Sequence, residues 1–148
     1  MSVTTSLFLQ QVSRLAAMLM PPPLCRPLRA AQAELSRGLH LAFRLASIHN
    51  RAVVLEPFRQ ATKGRISLRL PAGVRWGRPA AVPLPPNLVD SGWWGGRPRP
   101  ITVMPKYRAL ANVWFLHHGR QTLCLRLNLL GSVELLRYRP LLGVWIDC

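Results

Sequence analysis

The sequence predicts an α+β fold in which a helix pair packs on a small antiparallel sheet, with a long Pro/Gly-rich insertion between the strands. Three observations carry this prediction. Apolar residues recur at helical spacing over 30–48. They alternate with polar residues over 65–70 and 121–129, as in half-buried strands. Finally, 71–105 contains eight of the 14 prolines. A chain of 148 residues is expected to form one domain.

The N-terminal segment, 1–20, is amphipathic, contains Ser and Thr, and has no acidic residue. That composition is typical of a mitochondrial targeting segment. Its apolar spacing equally fits an ordinary first helix of the folded domain. The prolines at 21–23 end it, because consecutive prolines remove amide donors. Residues 1–29 are therefore assigned as an N-terminal helix or targeting segment followed by a Pro-rich turn.

The most regular helix of the sequence spans 30–48, where polar residues fall opposite an apolar stripe. Residues 49–51 suit a helix C-terminus, and the apolar, β-branched run 52–55 predicts a strand. At 65–70, Ile, Leu and Leu alternate with Arg, Ser and Arg, which predicts a strand with a cationic outer face. Residues 30–70 thus supply the helix and first strands of the α+β domain.

The segment 71–105 is predicted to be an extended insertion without regular structure. It contains Trp93 and Trp94, which are assigned as protein contacts because exposed aromatic area usually anchors on a partner. Packing of the pair back onto its own domain is the alternative.

Residues 106–148 are predicted to form a β-hairpin and a closing strand. Strands at 108–116 and 121–129 flank a turn in which Gly119 supplies the positive φ that a short connection needs. The apolar stretch 131–147, broken at Pro140, closes the domain.

The net positive charge of the chain indicates an anionic partner. The chain carries 20 Lys and Arg against 5 Asp and Glu, a net charge of +15, so most cations need external anions. Arginine binds phosphate in a bidentate manner, and the interleaved aromatic residues suit stacking on unpaired bases. We predict that the arginine-rich faces of the helix, strands and hairpin bind RNA. The cations assigned to RNA binding are Arg37, Arg44, Arg51, Lys63, Arg65, Arg69, Arg97, Arg99, Arg120, Arg126, Arg137 and Arg139.

Several classes of function lack their sequence signals. The nucleophile elbow, the phosphate-binding loop, the dinucleotide fingerprint and the zinc-protease motif are all missing, so we expect no enzyme and no small-molecule substrate. The adjacent His117 and His118 have no acidic or cysteine neighbour, so neither a metal nor another cofactor is expected. Three widely spaced cysteines favour a reducing compartment. The longest run without charged residues, 1–13, is too short to span a membrane.

A family resemblance adds to this interpretation. The run 35–46, which contains Ser36-Arg37 and Leu39-His40-Leu41-Ala42, is followed by the strand candidate 53–56. Together they resemble the second helix and following strand of the small-subunit ribosomal protein eight family. The hairpin at 108–129 and the run 136–138 are similar to the strands that close the same N-terminal domain, most closely in mitochondrial members.

The resemblance would cover 5–62 and 106–140, and the family's C-terminal domain has no counterpart in these residues. It implies a structural protein of the small subunit of the mitochondrial ribosome, in the matrix, that contacts ribosomal RNA and neighbouring ribosomal proteins. The alternative from another class is a peripheral accessory subunit of an inner-membrane respiratory complex that binds anionic lipid and protein. An RNA-processing enzyme is disfavoured because only five acidic residues are available.

Overall fold

The computed structural model describes Gln11 and residues 23–58, 65–88, 97–128 and 130–148. Within these ranges the chain forms one helix and nine strands in two sheets. The elements are α1 (Arg26–His49), β1 (Val53–Glu56), β2 (Arg65–Ser67), β3 (Arg75–Trp76), β4 (Ile101–Met104), β5 (Arg108–Ala109), β6 (Asn112–His118), β7 (Gln121–Leu127), β8 (Val133–Arg139) and β9 (Val144–Asp147). The prediction of a helix pair on a small antiparallel sheet is therefore wrong, since the described chain is mostly β. The first predicted helix, 1–20, lies outside the described residues except for Gln11.

The strands form a four-stranded and a five-stranded sheet. The four-stranded sheet has the order β2-β1-β4-β5, in which β1 pairs with β2 in parallel and with β4 in antiparallel orientation. The five-stranded sheet has the order β3-β6-β7-β8-β9 and is antiparallel throughout. The chain passes from one sheet to the other at Leu110 and Ala111, between β5 and β6. These two residues break the single strand that the sequence predicts at 108–116.

Helix α1 begins one turn earlier than predicted. Pro27 lies in its first turn, where a missing N–H has no helical partner to lose. The helix ends at Asn50, which has left-handed φ and ψ of 48° and 47° and donates its backbone N–H to the carbonyl of Ala46. Arg51 therefore lies beyond the helix that carries Arg37 and Arg44.

The main core lies between α1 and the two sheets. One face of the helix is buried, through Leu28, Ala31, Leu35, Gly38, Leu39, Ala42, Phe43 and Ala46. It packs on β1 and β4 of one sheet and on β6 of the other. Gly38 permits the close approach, because a Cβ there would lie 2.7 Å from Leu68 Cδ2 and 3.1 Å from Leu55 Cδ1.

A second cluster covers the other face of the five-stranded sheet. Val113, Phe115, Cys124 and Leu136 form it, with Leu84, Leu88 and Trp145 packed against them. Part of the Pro-rich segment thus covers its own domain. The prediction that 71–105 lacks regular structure is also wrong, because β3 and β4 lie within it. These strands of two and four residues are too short to show a periodic pattern between prolines.

The predicted hairpin is confirmed at its turn. β6 and β7 pair in register from Asn112 with Leu127 to His118 with Gln121, which leaves Gly119 and Arg120 as a two-residue turn. Gly119 has a φ of 58°, as predicted. The stretch 131–147 forms two strands instead of one, because β8 and β9 pair across a turn that begins at Pro140.

Gly131 is a position where the fold requires glycine. Its φ is 76°, and a Cβ there would lie 1.9 Å from the carbonyl oxygen of Tyr107. We expect Gly131→Ala to lower the free energy of unfolding by about 3 kcal/mol, since it combines left-handed strain with a backbone clash. Gly119→Ala is the control, because φ at Gly119 is also left-handed, at 58°, but a Cβ added there would meet no atom within 4 Å outside the neighbouring residues. This variant should lower the free energy of unfolding by only about 1 kcal/mol. Equal losses in urea denaturation would contradict this account.

The three cysteines should differ in reactivity. Burial raises the pKa of the Cys124 thiol to about 12, whereas Cys25 is half-buried and Cys148 is exposed. At pH 8 we therefore expect iodoacetamide to leave Cys124 unmodified in the folded protein and to label it in 6 M guanidinium. Mass spectrometry of the alkylated peptides, with Cys25 as the internal reference, measures this. Native labelling of Cys124 at the rate of Cys25 would show that β7 is not packed as described.

Candidate nucleic-acid interface

The solvent face of α1 carries a row of cationic and imidazole side chains. Arg26, Arg29, Arg37, His40 and Arg44 are all exposed. At about 100° per residue, the four arginines fall within an arc of roughly 80°. The distance along the axis from Arg26 to Arg44 is about 27 Å at 1.5 Å per residue. This arginine row lies opposite the buried stripe, so packing of the helix fixes the direction that it faces.

Among the described residues, Arg37 is the member of the arginine row that forms an ion pair with an acidic residue. Its Nε and Nη2 donate to the carboxylate of Glu34 at 3.0 and 2.6 Å. The backbone N–H of Arg69 also donates to Glu34, at 3.2 Å. The Arg37 hydrogen bond holds the pKa of Glu34 below its ordinary value, although partial burial opposes the shift. The pair therefore ties α1 to the chain after β2 and orients Arg37.

Two further predicted RNA-binding residues are engaged within the fold. Arg65 forms an ion pair with Glu56, whose side chain is buried at the joint of β1 and β2. Arg126 pairs with Glu134 and donates from Nη1 to the carbonyl of Pro86 at 2.7 Å. Both arginines hold elements of the domain together, and contact with RNA stays a prediction for them.

The chain at 97–100 is anchored to β6. The carbonyl of Arg99 accepts hydrogen bonds from Trp114 Nε1 at 2.6 Å and from Asn112 Nδ2 at 3.1 Å. The guanidinium of Arg97 lies 4.7 Å from the ring centroid of Phe58, a cation–π contact. Trp114 itself is fully buried. It is a core residue, so its aromatic ring does not contribute to a stacking surface.

The remaining predicted residues lie in different places. Arg44, Arg51 and Arg69 are exposed, whereas Arg120, Arg137 and Arg139 line one cleft beside the β6–β7 turn. Lys63, Trp93 and Trp94 lie outside the described residues. The structure thus brings together a helix row and a cleft, and it does not unite the whole predicted set on one face.

Sequence reasoning missed the turn between β4 and β5 as a site. Lys106 and Tyr107 both have left-handed φ, of 65° and 57°, which is costly for residues other than glycine and occurs at functional sites. The ring of Tyr107 is stacked on Phe43 at a centroid distance of 5.7 Å, yet the residue is 62% exposed. Exposed Lys106 and Arg108 flank it. We call these three residues the Tyr107 turn. Its only sequence signal is Pro105 between two short apolar runs.

The described part of the chain contains no group of three or more metal-ligating side chains. Among those residues, too, no helix has the length and apolar character needed to cross a membrane.

Comparisons with protein-family models, curated proteins and solved structures find no match to this chain. The resemblance to the small-subunit ribosomal protein eight family stays a prediction from the sequence.

The Glu56 ion pair separates a structural arginine from exposed ones. Arg65→Met should lower the free energy of unfolding by about 2 kcal/mol. Glu56 is only 3% exposed, and its carboxylate would lose its charged partner. Adding Glu56→Gln to this variant should restore most of the loss. Arg69→Met, which removes an exposed arginine beyond the same strand, should change stability by less than about 0.5 kcal/mol. A double-mutant cycle in urea measures the coupling, and a coupling near zero would show that the pair does not stabilise the β1–β2 joint.

Proposed function

We propose that this protein is a non-catalytic, RNA-binding structural component of a ribonucleoprotein particle. The single observation that carries the proposal is the arginine row on the solvent face of α1, where four exposed arginines share an arc of the helix. Rows of arginine suit the repeated phosphates of a nucleic acid backbone, which they bind through bidentate hydrogen bonds.

The charge balance supports an external polyanion. Apart from Arg14, Arg59 and Lys63, every cation of the chain lies in the described residues. In those same ranges, three glutamates each pair with one arginine. These ion pairs do not change the net charge of +15, so the balancing negative charge must come from other molecules. A partner with many phosphates neutralises such an excess and releases its own counterions on binding.

The Tyr107 turn favours an RNA with unpaired bases over a fully base-paired duplex as the binding partner. Its ring is exposed, backed by Phe43, and flanked by two cations. Unpaired RNA bases stack on such aromatic platforms while phosphates contact neighbouring Lys and Arg. A stem contacted by the arginine row and an unpaired base on Tyr107 would use both features.

The particle that the sequence favours is the small subunit of the mitochondrial ribosome. Two sequence features support that choice: the acid-free segment 1–20 and the family resemblance carried by 35–46, 53–56, 108–129 and 136–138. In this proposal the protein resides in the mitochondrial matrix and contacts ribosomal RNA and neighbouring ribosomal proteins.

Binding to a structured RNA stem–loop should weaken steeply with salt. If about six phosphates are neutralised, the logarithm of the association constant should fall with a slope of roughly −4 to −5 against the logarithm of the salt concentration. The double variant Arg29→Gln/Arg44→Gln should reduce the size of this slope by about 2. Tyr107→Leu should weaken binding about tenfold and leave the slope unchanged. Filter binding from 50 to 400 mM KCl measures both quantities.

Arg75→Gln is the matched control, because it removes one exposed arginine from edge strand β3, outside the row. It should retain nearly all of the binding. Salt-insensitive binding, or none, would overturn the proposal. Stronger association with cardiolipin vesicles than with RNA would favour the accessory subunit of a respiratory complex. Co-sedimentation of the tagged protein with membrane complexes instead of ribosomal particles would overturn the assignment to the ribosome.

A further inference from the structure

The outer edge of the five-stranded sheet is strand β9, and among the described residues no further strand pairs with it. Cys148, which continues β9, donates its backbone N–H to the carbonyl of Leu135 on β8 at 3.0 Å. Backbone groups alternate in direction along an antiparallel strand, so the residues two and four positions before Cys148 also face β8. Trp145 and Asp147 therefore direct their N–H and C=O groups outward, away from the sheet.

Among the edge strands of the described residues, β9 lacks the protection that the others have. The edge strands β2, β3 and β5 have two or three residues, and each carries one exposed arginine, at Arg65, Arg75 and Arg108. Short strands and charged side chains on an edge hinder pairing with another strand. β9 has four residues without Lys or Arg, and Val144 at its start is 44% exposed. It is therefore the edge strand best suited to accept another strand.

The side chains of this edge suit pairing with a second copy of itself. In an antiparallel pair centred on Ile146, that residue lies opposite Ile146 of the second copy, and Val144 lies opposite Cys148. These apolar side chains share the face of the sheet on which α1 packs, because Ile146 pairs with Arg137, and Arg137 pairs with Leu123 of the main core. The two residues whose backbone groups face outward lie opposite each other in this pair. Each copy thus satisfies the free N–H and C=O groups of the other.

Charge favours this edge for contact between copies. Each copy carries +15, so contact through an arginine-bearing surface is opposed by repulsion. β9 has no cation, and exposed Asp147 gives it a negative charge. Arg137 and Arg139 lie one strand behind this edge, on β8, and are half-buried. Pairing through β9 should therefore strengthen as salt screens the remaining repulsion.

We propose that two copies of this chain pair through β9 in antiparallel orientation and form a two-fold symmetric dimer. The two five-stranded sheets become one continuous sheet. A pair of single short strands is a small interface, so we expect a weak dimer with a dissociation constant on the order of 10 µM. Dimerisation goes beyond the proposed function and does not depend on RNA. It places two copies of the arginine row in one assembly.

Sedimentation of the nuclease-treated full chain measures the monomer–dimer equilibrium. The dimer should become more stable as KCl is raised from about 100 to about 400 mM, which is the opposite of the salt effect on RNA binding. Val144→Lys places a cation on this edge, as in the other edge strands, and should weaken dimerisation by at least about tenfold. Leu141→Lys is the matched control, because it adds the same charge in the turn before β9, at a residue that is 91% exposed. It should dimerise within about twofold of the wild type.

Asp147→Pro tests the backbone hydrogen bonds. Proline removes an N–H that points away from β8, so the pairing of β8 with β9 can remain while the pairing of two copies fails. Asp147→Asn keeps this N–H and should dimerise nearly as the wild type does. Urea denaturation of each variant verifies that the monomer remains folded.

A disulfide between copies tests the register. Val144→Cys places a thiol opposite Cys148 of the second copy, at a non-hydrogen-bonded pair whose Cα atoms are about 4.5 Å apart, within the span of a disulfide. Within one chain, positions 144 and 148 are about 13 Å apart along the strand and cannot be bridged. Oxidised glutathione should therefore convert Val144→Cys to a covalent dimer several-fold faster than Leu141→Cys, as measured on non-reducing gels.

A chain that stays monomeric at about 200 µM in high salt would overturn the proposal and leave β9 for a strand of another protein. A dimer that both Val144→Lys and Asp147→Pro leave intact forms through another surface, which would also overturn it. If nuclease treatment abolishes the dimer, RNA bridges the copies: the β9 dimer is then wrong and the proposed function stands. If the dimer forms and the chain binds no RNA, the proposed function alone fails.

Discussion

The packing of the apolar face of α1 against both sheets is the interaction on which the rest of the structure depends. The helix contacts β1 and β4 of the four-stranded sheet and β6 of the five-stranded sheet, so it connects the two. Leu28 and Leu35 are fully buried in this contact. Because a guanidinium is costly to bury, the arginines of the same helix must lie on its opposite face. The direction of the arginine row is thus a consequence of the core.

Three of the five acidic residues form ion pairs where elements of the fold meet. Glu34 links α1 to the chain after β2, Glu56 lies between β1 and β2, and Glu134 holds β8 to Arg126 on β7. Arg126 in turn binds the Pro-rich segment through the carbonyl of Pro86. Each of these carboxylates serves to hold the fold together, so little negative charge opposes the cations elsewhere. Such an imbalance destabilises a compact chain by self-repulsion, and an anionic partner relieves it.

The sequence predicts the parts of the fold that have a local signal. Helical spacing of apolar residues predicts α1 except for its first turn, which contains Pro27. Alternation of apolar and polar residues, together with Gly119, predicts the β6–β7 hairpin. The fold class was wrong because β3 and β4 are short and gain their stability from distant partners. Val103 of β4 pairs with Val53, which no local pattern indicates. For the same reason, the pairing of Arg65 with Glu56, the exposed ring of Tyr107 and the cleft beside the β6–β7 turn could not be foreseen.

The order of the strands along the chain also affects how the domain assembles. The strands β6 to β9 follow one another through short turns, so each pairing closes a small loop and has a low entropic cost. The pairing of β1 with β4 closes a loop of about 50 residues, and α1 can complete its core only when that loop is closed. The four strands β6 to β9 are therefore the part of the five-stranded sheet that can form locally, whereas β3 joins β6 across about 40 residues. The surface of the helix reaches its final position only after the most distant strands have met.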